Sequence, residues 1–327
     1  MLYPLKFKPI FKEKLWGGKK LSRIFNKNAP DARIGESWEI SGLKENVSVV
    51  SEGFLKENSL LDLQETYMSD FIGDALYSKF GHDFPLLVKL IDADDDLSVQ
   101  VHPNDKLAGE RYGQNGKNEL WYIAHAEPGA ELVLGFNETI TKEDFLRLTK
   151  EDKLGNYLFR KKVKTGEAYY IPSGLVHSIG RGIVIAEIQQ SSDITYRIDD
   201  RGRLDKNGQK RQLHIEQALD AIDLEAKSTQ ALSFERLADK QNPVFESPDF
   251  SVNYIPLRKF FEADYNRRES FTIYLCLSGS FNILYPQGSL SMSKGESVLL
   301  PAEIGHVDLQ PIEKSDILEV YIDTKLS

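Results

Sequence analysis

A short stretch of the chain alternates polar and apolar residues in a way that brings metal-binding side chains together. In a β-strand, successive side chains point to opposite faces, so Ser98, Gln100 and His102 share one face while Val99 and Val101 share the other. A strand that is apolar on one face and carries serine, glutamine and histidine on the other is typical of a strand that borders a functional cavity. We therefore predict that this polar face lines a site.

Two further stretches supply the remaining candidate ligands. Lys117 and Glu119 share a face of the next predicted strand, and His177 follows a proline-glycine turn. His125 has the same parity as Glu119 but lies roughly 20 Å further along the strand, at about 3.3 Å per residue, which excludes it from the site. An amide oxygen, a carboxylate and two imidazoles form a mixed set that suits Zn²⁺ and other borderline divalent ions. The predicted ligands are Gln100, His102, Glu119 and His177.

The elements that must position these side chains are mostly short strands, rich in Val, Ile and Tyr and bounded by Gly, Pro and Asp. This pattern favours a mainly β fold, a sandwich or barrel with a few added helices. The strands predicted in the first part of the chain are Ile34–Ile40, Val47–Val50, Leu97–Val101, Leu120–Ala124, Leu132–Gly135, Ala168–Ile171, Ile183–Ile188 and Thr195–Ile198. Helical spacing predicts helices over Ser59–Phe80, Thr141–Thr149 and Ile215–Leu224.

An internal repeat predicts two lobes. Gly166–Pro172 (GEAYYIP) is followed five residues later by His177, and Gly295–Pro301 (GESVLLP) is followed five residues later by His306. The second copy has no carboxylate at the position that matches Glu119, which falls near Phe271, so we predict a structural His306 and a supporting lobe without metal. The division predicted is a catalytic domain over 1–240 and a degenerate β domain over 241–327.

The second lobe and the connecting segments are also assigned from pattern. The polar segment Asp199–Arg211 is expected to be a loop, and Lys227–Asn242 is expected to cross between the lobes. The predicted strands of the second lobe are Phe250–Ile255, Thr272–Leu277, Phe281–Tyr285, Ser297–Leu300 and Ile317–Tyr321.

Composition excludes several classes of protein. A net charge of −9 argues against nucleic acid as a general partner, because phosphate backbones require a basic face. The longest apolar runs, such as Phe84–Leu90, are far shorter than the roughly 20 residues that span a bilayer. Cys276 is the one cysteine and lies in an apolar run, so it is predicted to be buried and structural. A single thiol and no apolar N-terminal stretch favour a reducing cytoplasm.

Six segments closely resemble type I mannose-6-phosphate isomerase, a family of the cupin superfamily. They cover most of residues 1–200 in the family's order, and the last two are the most specific: Leu15–Gly18, Gly35–Glu39, Gln100–Pro103, Gly116–Glu119, Tyr170–Gly174 and Gln190–Arg197. The chain is similar to the short bacterial form, without the large helical insert of longer relatives. The resemblance implies two cupin-like jelly-roll lobes.

The resemblance also implies a reaction and a set of site residues. The family's metal ligands fall on the same four residues that the strand argument selects, and its active-site arginine falls on Arg197. Lys117, Glu187 and Asp193 are implied to line the pocket, and Ser98 faces the same cavity. The implied reaction converts mannose 6-phosphate to fructose 6-phosphate through an enediolate, with one Zn²⁺ or another divalent ion per chain. Glu187, Asp193 and Lys117 all remain candidates for the proton-transfer base.

Three alternatives remain open at this point. An Fe²⁺-dependent cupin oxygenase is disfavoured because that class uses histidines and a carboxylate, whereas the amide of Gln100 and the pair Lys117 and Arg197 suit an anionic sugar better. A non-catalytic sugar-binding cupin is disfavoured because all four ligands and Arg197 are present. An isomerase of the same family that acts on another aldose or aldose phosphate is compatible with the motifs. The sequence does not specify the oligomeric state.

Overall fold

The computed structural model describes residues 2–205, 207–225 and 228–326. The chain is mainly β, as predicted, and the described residues up to Asp199 form eleven strands. They are β1 (Ile10–Gly18), β2 (Ile34–Ser41), β3 (Leu86–Ala93), β4 (Val99–Val101), β5 (Glu119–Ala126), β6 (Glu131–Phe136), β7 (Leu158–Lys162), β8 (Ala168–Ile171), β9 (His177–Ile179), β10 (Ile183–Gln190) and β11 (Tyr196–Asp199).

Six α-helices decorate this part among the described residues. They are α1 (Lys20–Phe25), α2 (Leu60–Ile72), α3 (Asp74–Phe80), α4 (Asp105–Tyr112), α5 (Lys142–Lys150) and α6 (Ile215–Ala221). The predicted start of α5 is confirmed, because the Thr141 side chain accepts a hydrogen bond from the Asp144 amide as an N-cap. No helix in the described ranges has the length and apolar character that a bilayer crossing requires.

Two antiparallel sheets face each other in this half of the molecule. One has the order β1-β2-β3-β10-β5-β8 and the other has the order β11-β4-β9-β6-β7. Strands that are distant in sequence are neighbours in both sheets, which is how residues from three separate stretches reach one cavity. Because the register of β5 against β10 pairs Trp121 with Glu187, both side chains lie on the cavity face of their sheet.

The six-stranded sheet is buried on both faces. Along β5, Leu120 and Tyr122 belong to one apolar cluster, whereas Trp121 and Ile123 belong to another. The second cluster fills part of the space between the two sheets. The first cluster also contains residues from the C-terminal part of the chain, such as Phe271, so it packs the two parts of the molecule together.

The C-terminal part repeats this arrangement with nine strands. They are β12 (Asn242–Glu246), β13 (Ser251–Leu257), β14 (Phe261–Asp264), β15 (Thr272–Ser278), β16 (Ser280–Tyr285), β17 (Gly288–Ser293), β18 (Ser297–Leu300), β19 (His306–Pro311) and β20 (Ser315–Tyr321). Its sheets have the orders β12-β13-β20-β15-β18 and β14-β19-β16-β17, and their facing sides enclose a third apolar cluster.

Several predicted elements match the observed bounds closely, and others do not. Ala168–Ile171 and Ser297–Leu300 are strands over the predicted residues. The predicted strand Val47–Val50 is wrong, since only isolated bridges at Val49 and Val50 form there. The predicted helix Ser59–Phe80 is divided into α2 and α3 at Gly73, whose φ of 99° is outside the helical range. Part of the predicted Lys227–Asn242 crossing lies outside the described residues.

A candidate metal centre at the floor of a charged cleft

The four predicted ligands converge at one point between the two sheets. β4 carries Gln100, which is paired with His177 at the start of β9, and His102 follows β4 directly. Glu119 is the first residue of β5 in the opposite sheet. Three donor atoms, one each from His102, Glu119 and His177, all lie within 4.8 Å of one another. The predicted grouping is therefore found in the folded chain.

The contacts among these side chains are short. The Nε2 atoms of His102 and His177 are 3.1 Å apart, and His102 Nε2 is 3.3 Å from Glu119 Oε1. Gln100 Nε2 lies 3.3 Å from His177 Nε2, while its Oε1 faces the Ser98 hydroxyl at 3.4 Å. A half-turn of the amide exchanges these two atoms and turns the oxygen toward the imidazoles. His102, Glu119 and His177 are each at most 1% exposed.

Backbone carbonyls fix the orientation of both imidazoles. His102 Nδ1 donates to Ile194 O and His177 Nδ1 donates to Leu175 O, each at 2.8 Å. A carbonyl only accepts, so the ring proton sits on Nδ1 and the lone pair of Nε2 points into the site. Burial lowers the pKa of both rings, to about 3 for His102, where the Lys117 ammonium adds to the effect. Neutral imidazoles held by carbonyls in this way are the usual ligands of a metal ion.

Glu119 is held as a carboxylate. Burial raises its pKa, but the Lys117 ammonium and the contacts with His102 and His177 together outweigh burial and hold the pKa well below its ordinary value. Its Oε2 accepts from the Trp121 indole at 2.9 Å. Its Oε1 lies 2.7 Å from Lys117 Nζ, yet accepts no hydrogen bond of good geometry from any described residue. Glu119 Oε1 is therefore an anionic oxygen with an available lone pair, and it lies beside the Nε2 atoms of His102 and His177.

These residues fit a divalent cation. Two imidazole lone pairs 3.1 Å apart repel each other unless they share an ion or a proton, and burial disfavours the proton. The donor set of nitrogen and oxygen atoms matches a borderline ion such as Zn²⁺. Gln100, His102, Glu119 and His177 would hold it.

A cleft of about 240 Å³ opens above this centre and contains the other predicted site residues. Ser98, Lys117, Glu187, Asp193 and Arg197 all line it. Lys117 and Glu187 are buried, whereas Asp193 is exposed at the mouth. Trp16 also lines the cleft.

Glu187 differs electrostatically from its neighbour Glu119. The Trp121 indole also donates to Glu187 Oε1 at 3.0 Å, so one N–H group joins the two carboxylates. Burial, followed by repulsion from Glu119, raises the pKa of Glu187, and this happens despite Lys89, whose Nζ is 3.1 Å from Glu187 Oε2. A buried carboxylate with a raised pKa beside a metal-type site is a candidate acid or base.

Sequence reasoning missed a set of charged residues on the six-stranded sheet. Lys89 is 3% exposed and lies between Val88 and Leu90 of the predicted apolar run. Glu36 lines the same cleft, is paired with Lys14 at 2.9 Å, and accepts from the Trp38 indole at 2.7 Å. The sequence feature that could have revealed these residues is Lys89, a lysine inside an otherwise apolar strand.

Three residues named in the sequence analysis lie outside the site. His125 lies toward the end of β5 and is partly exposed. Cys276 is fully buried, and burial raises the pKa of its thiol to about 12. His306 is half-exposed and contacts Asp308 at 3.0 Å. Among the described residues, it belongs to no group that could hold a metal ion.

Comparison with known proteins identifies one family along most of the chain. Residues 4–120 match the family described as phosphomannose isomerase type I, catalytic domain, and residues 241–313 match the one described as mannose-6-phosphate isomerase, cupin domain. Mannose-6-phosphate isomerase ManA of Bacillus subtilis (strain 168) is 36% identical over 311 residues, which covers 94% of this chain and 96% of the relative. The mannose-6-phosphate isomerase of Streptococcus mutans is 35% identical over 307 residues, 93% of this chain and 94% of the relative.

A solved structure supports the same assignment at the level of the fold. The crystal structure of mannose 6-phosphate isomerase from Bacillus subtilis superposes with a TM-score of 0.89 at 31% identity, over 98% of this chain and 100% of that one. The mainly β cupin fold expected from the sequence is thereby confirmed. With relatives this similar over nearly its whole length, the chain belongs to the type I phosphomannose isomerase family.

Proposed function

We propose that the chain is a metal-dependent aldose–ketose isomerase that interconverts mannose 6-phosphate and fructose 6-phosphate. The observation that carries the proposal is the convergence of Gln100, His102, Glu119 and His177 at the floor of a cleft lined by basic side chains. The mannose-6-phosphate isomerases of Bacillus subtilis and Streptococcus mutans, which match over more than nine-tenths of this chain, support it.

The reaction moves one proton from C2 of the aldose to C1 of the ketose and shifts the carbonyl in the opposite sense. Negative charge develops on the two sugar oxygens in the enediolate, and no electrons leave the substrate. A bound divalent cation supplies Lewis-acid stabilisation of this charge, and since no redox change is required, we propose Zn²⁺.

Glu187 is the residue that we propose as the proton-transfer base. It is buried and lines the cleft, and its raised pKa moves it toward the range in which a base both accepts and returns a proton. Lys117 is engaged with Glu119 at 2.7 Å, and Asp193 lies at the exposed mouth. We propose that Lys117 and Asp193 orient the substrate and make the cleft polar.

We propose that Arg197 and Ser98 hold the substrate in the cleft. Arg197 is the cross-strand partner of Gln100, so the two side chains start from adjacent positions of one sheet. A guanidinium presents planar paired donors to substrate oxygens. Ser98 is buried beside Gln100 and adds a hydroxyl.

We also propose that the chain divides after residue 240 into a catalytic domain and a supporting domain. This division is supported by the sheets, whose strands come from residues 10–199 in one pair and 242–321 in the other. A reducing cytoplasm is the setting that we propose, which the single buried Cys276 supports.

Metal removal tests the proposed activity. The purified protein is stripped with a chelator, and conversion of mannose 6-phosphate to fructose 6-phosphate is assayed before and after addition of Zn²⁺, with other divalent ions in parallel. We expect activity to disappear and to return with Zn²⁺. Arg197→Ala should retain bound metal but lose most turnover. Full turnover by the metal-free protein would contradict the proposal, and parental turnover by Arg197→Ala would contradict that residue's role.

A further inference from the structure

One corner of the cleft carries more positive charge than the rest. Three guanidinium groups, those of Arg197, Arg203 and Arg211, surround the single carboxylate of Asp200, which is 4% exposed. Arg203 also lies 3.9 Å from Asp95, so one positive charge is in excess there. Elsewhere in the cleft each lysine is paired with a carboxylate, in the pairs Lys14–Glu36, Lys89–Glu187 and Lys117–Glu119, and Asp193 adds a further negative charge.

The guanidinium of Arg211 is fixed by Asp200 but still has N–H groups available to donate hydrogen bonds. Its Nε donates to Asp200 Oδ2 at 2.6 Å, and its Nη2 donates to Oδ1 of the same carboxylate. A guanidinium has five N–H donors, so this bidentate contact leaves both hydrogens of Nη1 available on a side chain that lines the cleft. Arg203 is more fully engaged, because it also donates to the Asp96 carbonyl.

The segment that follows Arg211 is attached to β11, and this brings Arg211 beside Arg197. Arg197 Nη1 donates to Gln212 O at 2.9 Å, and the His214 amide donates to Arg197 O at 2.8 Å. The Nε of Arg197 is buried and has no hydrogen-bond partner among the described residues. Burial, and then the charge of Arg211, lowers the pKa of Arg197. The unpartnered Nε of Arg197 and the local excess of positive charge both favour the binding of an anion.

We infer that Arg211, positioned by Asp200, forms with Arg197 the binding site for the phosphate group of the substrate, and that it selects phosphorylated over free sugars. This inference rests on the proposed function. A phosphate monoester carries roughly −1.5 to −2 charges at pH 7, so it is attracted to this excess of positive charge. Arginine forks contact two phosphate oxygens at once. The reacting end of the sugar would then lie at the metal ligands, which reach the same cleft through Gln100.

Arg211→Gln tests the role of this side chain. We expect KM for mannose 6-phosphate to rise about 10- to 100-fold, the range for loss of a charged hydrogen-bonding partner, with metal content unchanged. Arg201→Gln is the matched control, because Arg201 lies on the same loop but pairs with Asp96 and lines a separate groove. A change in KM for Arg211→Gln no larger than that of the control overturns the inference.

Inorganic phosphate separates this inference from the proposed function. Phosphate should inhibit the parent and Arg201→Gln equally, and its inhibition constant, or its dissociation constant measured by calorimetry, should weaken about 10-fold or more in Arg211→Gln. If the parent shows no isomerase activity yet phosphate binding depends on Arg211, the proposed function fails while the anion site stands. Equal phosphate affinity in parent and Arg211→Gln overturns the site even if isomerisation is confirmed.

A second variant of Arg211 controls for misfolding, and a variant of Asp200 tests whether that residue positions Arg211. Arg211→Lys keeps a charge but not the fork, so its KM should fall between those of parent and Arg211→Gln. Asp200→Asn should raise KM for mannose 6-phosphate and weaken phosphate inhibition while kcat stays within about twofold of the parent. A purely structural role for Asp200 would instead lower kcat and metal content together, with the affinity of the remaining protein for phosphate unchanged, and this outcome would overturn its assignment.

Discussion

Single side chains decide whether the centre can hold a metal ion. The Nδ1 atoms of His102 and His177 are committed to backbone carbonyls at 2.8 Å, so the Nε2 lone pairs are oriented in advance. Preorganisation of this kind strengthens metal binding because little side-chain entropy is lost when the ion enters. Glu119 adds the negative charge that a cation requires.

His102→Ala should lose both bound metal and isomerase activity. It removes one of the two imidazoles, so metal affinity should fall by at least about 100-fold, judged against the 10- to 100-fold cost of altering only an outer partner of a ligand. Metal content after dialysis, measured by atomic emission, and turnover are the readouts. His125→Ala is the control, because that residue is partly exposed near the end of β5. Stoichiometric tight metal in His102→Ala would contradict the ligand assignment.

Glu36→Gln tests the charged residues on the six-stranded sheet. Burial alone raises the pKa of Glu36, but Lys14, Lys89 and the Trp38 indole outweigh burial and bring the pKa to about 2 from 4.5. A depressed pKa means that the carboxylate stabilises the fold above pH 4.5, and that this contribution is lost as pH falls toward 2. At about 1.36 kcal/mol per pH unit, it amounts to about 3 kcal/mol.

Urea unfolding of metal-free parent and Glu36→Gln between pH 7 and pH 3 measures this effect. We expect the variant to be about 3 kcal/mol less stable at pH 7, with more than half of the gap closed by pH 3. Glu13→Gln, at an exposed position of β1, should match the parent throughout. A gap for Glu36→Gln that is independent of pH would contradict the electrostatic explanation.

At the scale of elements, local turn chemistry explains which predictions were accurate. β8 and β18 occupy the predicted residues because a glycine turn precedes each and a proline follows each, so both ends are specified locally. The helix predicted over Ser59–Phe80 begins where expected, with a capping box between Ser59 and Asp62. Its division at Gly73 depends on packing against another part of the chain.

Gly73→Ala tests that packing. A Cβ at Gly73 would lie 2.3 Å from the Glu269 carbonyl oxygen, and the backbone has a φ of 99° that alanine adopts poorly. We expect a loss of about 2–4 kcal/mol in the free energy of unfolding, from strain and a backbone clash together. Gly81→Ala separates the two causes, because Gly81 has a φ of 56° but nothing within 4 Å of its Cβ position. Equal losses in the two variants would show that the Glu269 contact is unimportant.

At the scale of the whole molecule, the register of the strands relates the second lobe to the site in the first. Pairing of β15 with β18 places Thr272 opposite Leu300, as Glu119 lies opposite Ile171, so Thr272, next to the predicted Phe271, replaces the metal-ligating carboxylate. By the same register, Glu319 faces Tyr274 as Glu187 faces Trp121.

In the second lobe, protein side chains fill the space that corresponds to the cleft of the first lobe. Glu319 is fully buried and accepts hydrogen bonds from Gln241 and Asn253, each at 2.7 Å, from Arg268 at 3.1 Å and from Tyr265. A carboxylate with these partners has no remaining capacity for a ligand. The second lobe has therefore kept the fold of the repeat and turned its polar interior into a packed core.

Phe271→Ala tests whether the two lobes unfold as one unit. Phe271 is fully buried, belongs to the apolar cluster shared by both parts of the chain, and contacts Phe84 with ring centroids 4.9 Å apart. We expect the parent to unfold in one calorimetric transition and the variant to lose about 3–5 kcal/mol. Phe260→Ala, at a residue 51% exposed, is the control. Two separate transitions in the parent would contradict a shared core.

The amino-acid sequence alone predicts the four candidate ligands, the fold class and the internal repeat. Each depends on information within a few neighbouring residues: the two-residue alternation of a strand in Gln100 and His102, and the glycine and proline turns ahead of His177. Which distant side chains lie beside these ligands becomes visible in the folded chain. Strand pairing and buried ion pairs bring three of them to the cleft: Lys89, Glu36 and Arg211. The ion pair between Asp200 and Arg211 joins two positions of a loop that has no periodic sequence pattern. Sequence spacing carries no record of such contacts, because they depend on how sheets pair and close rather than on local backbone preference.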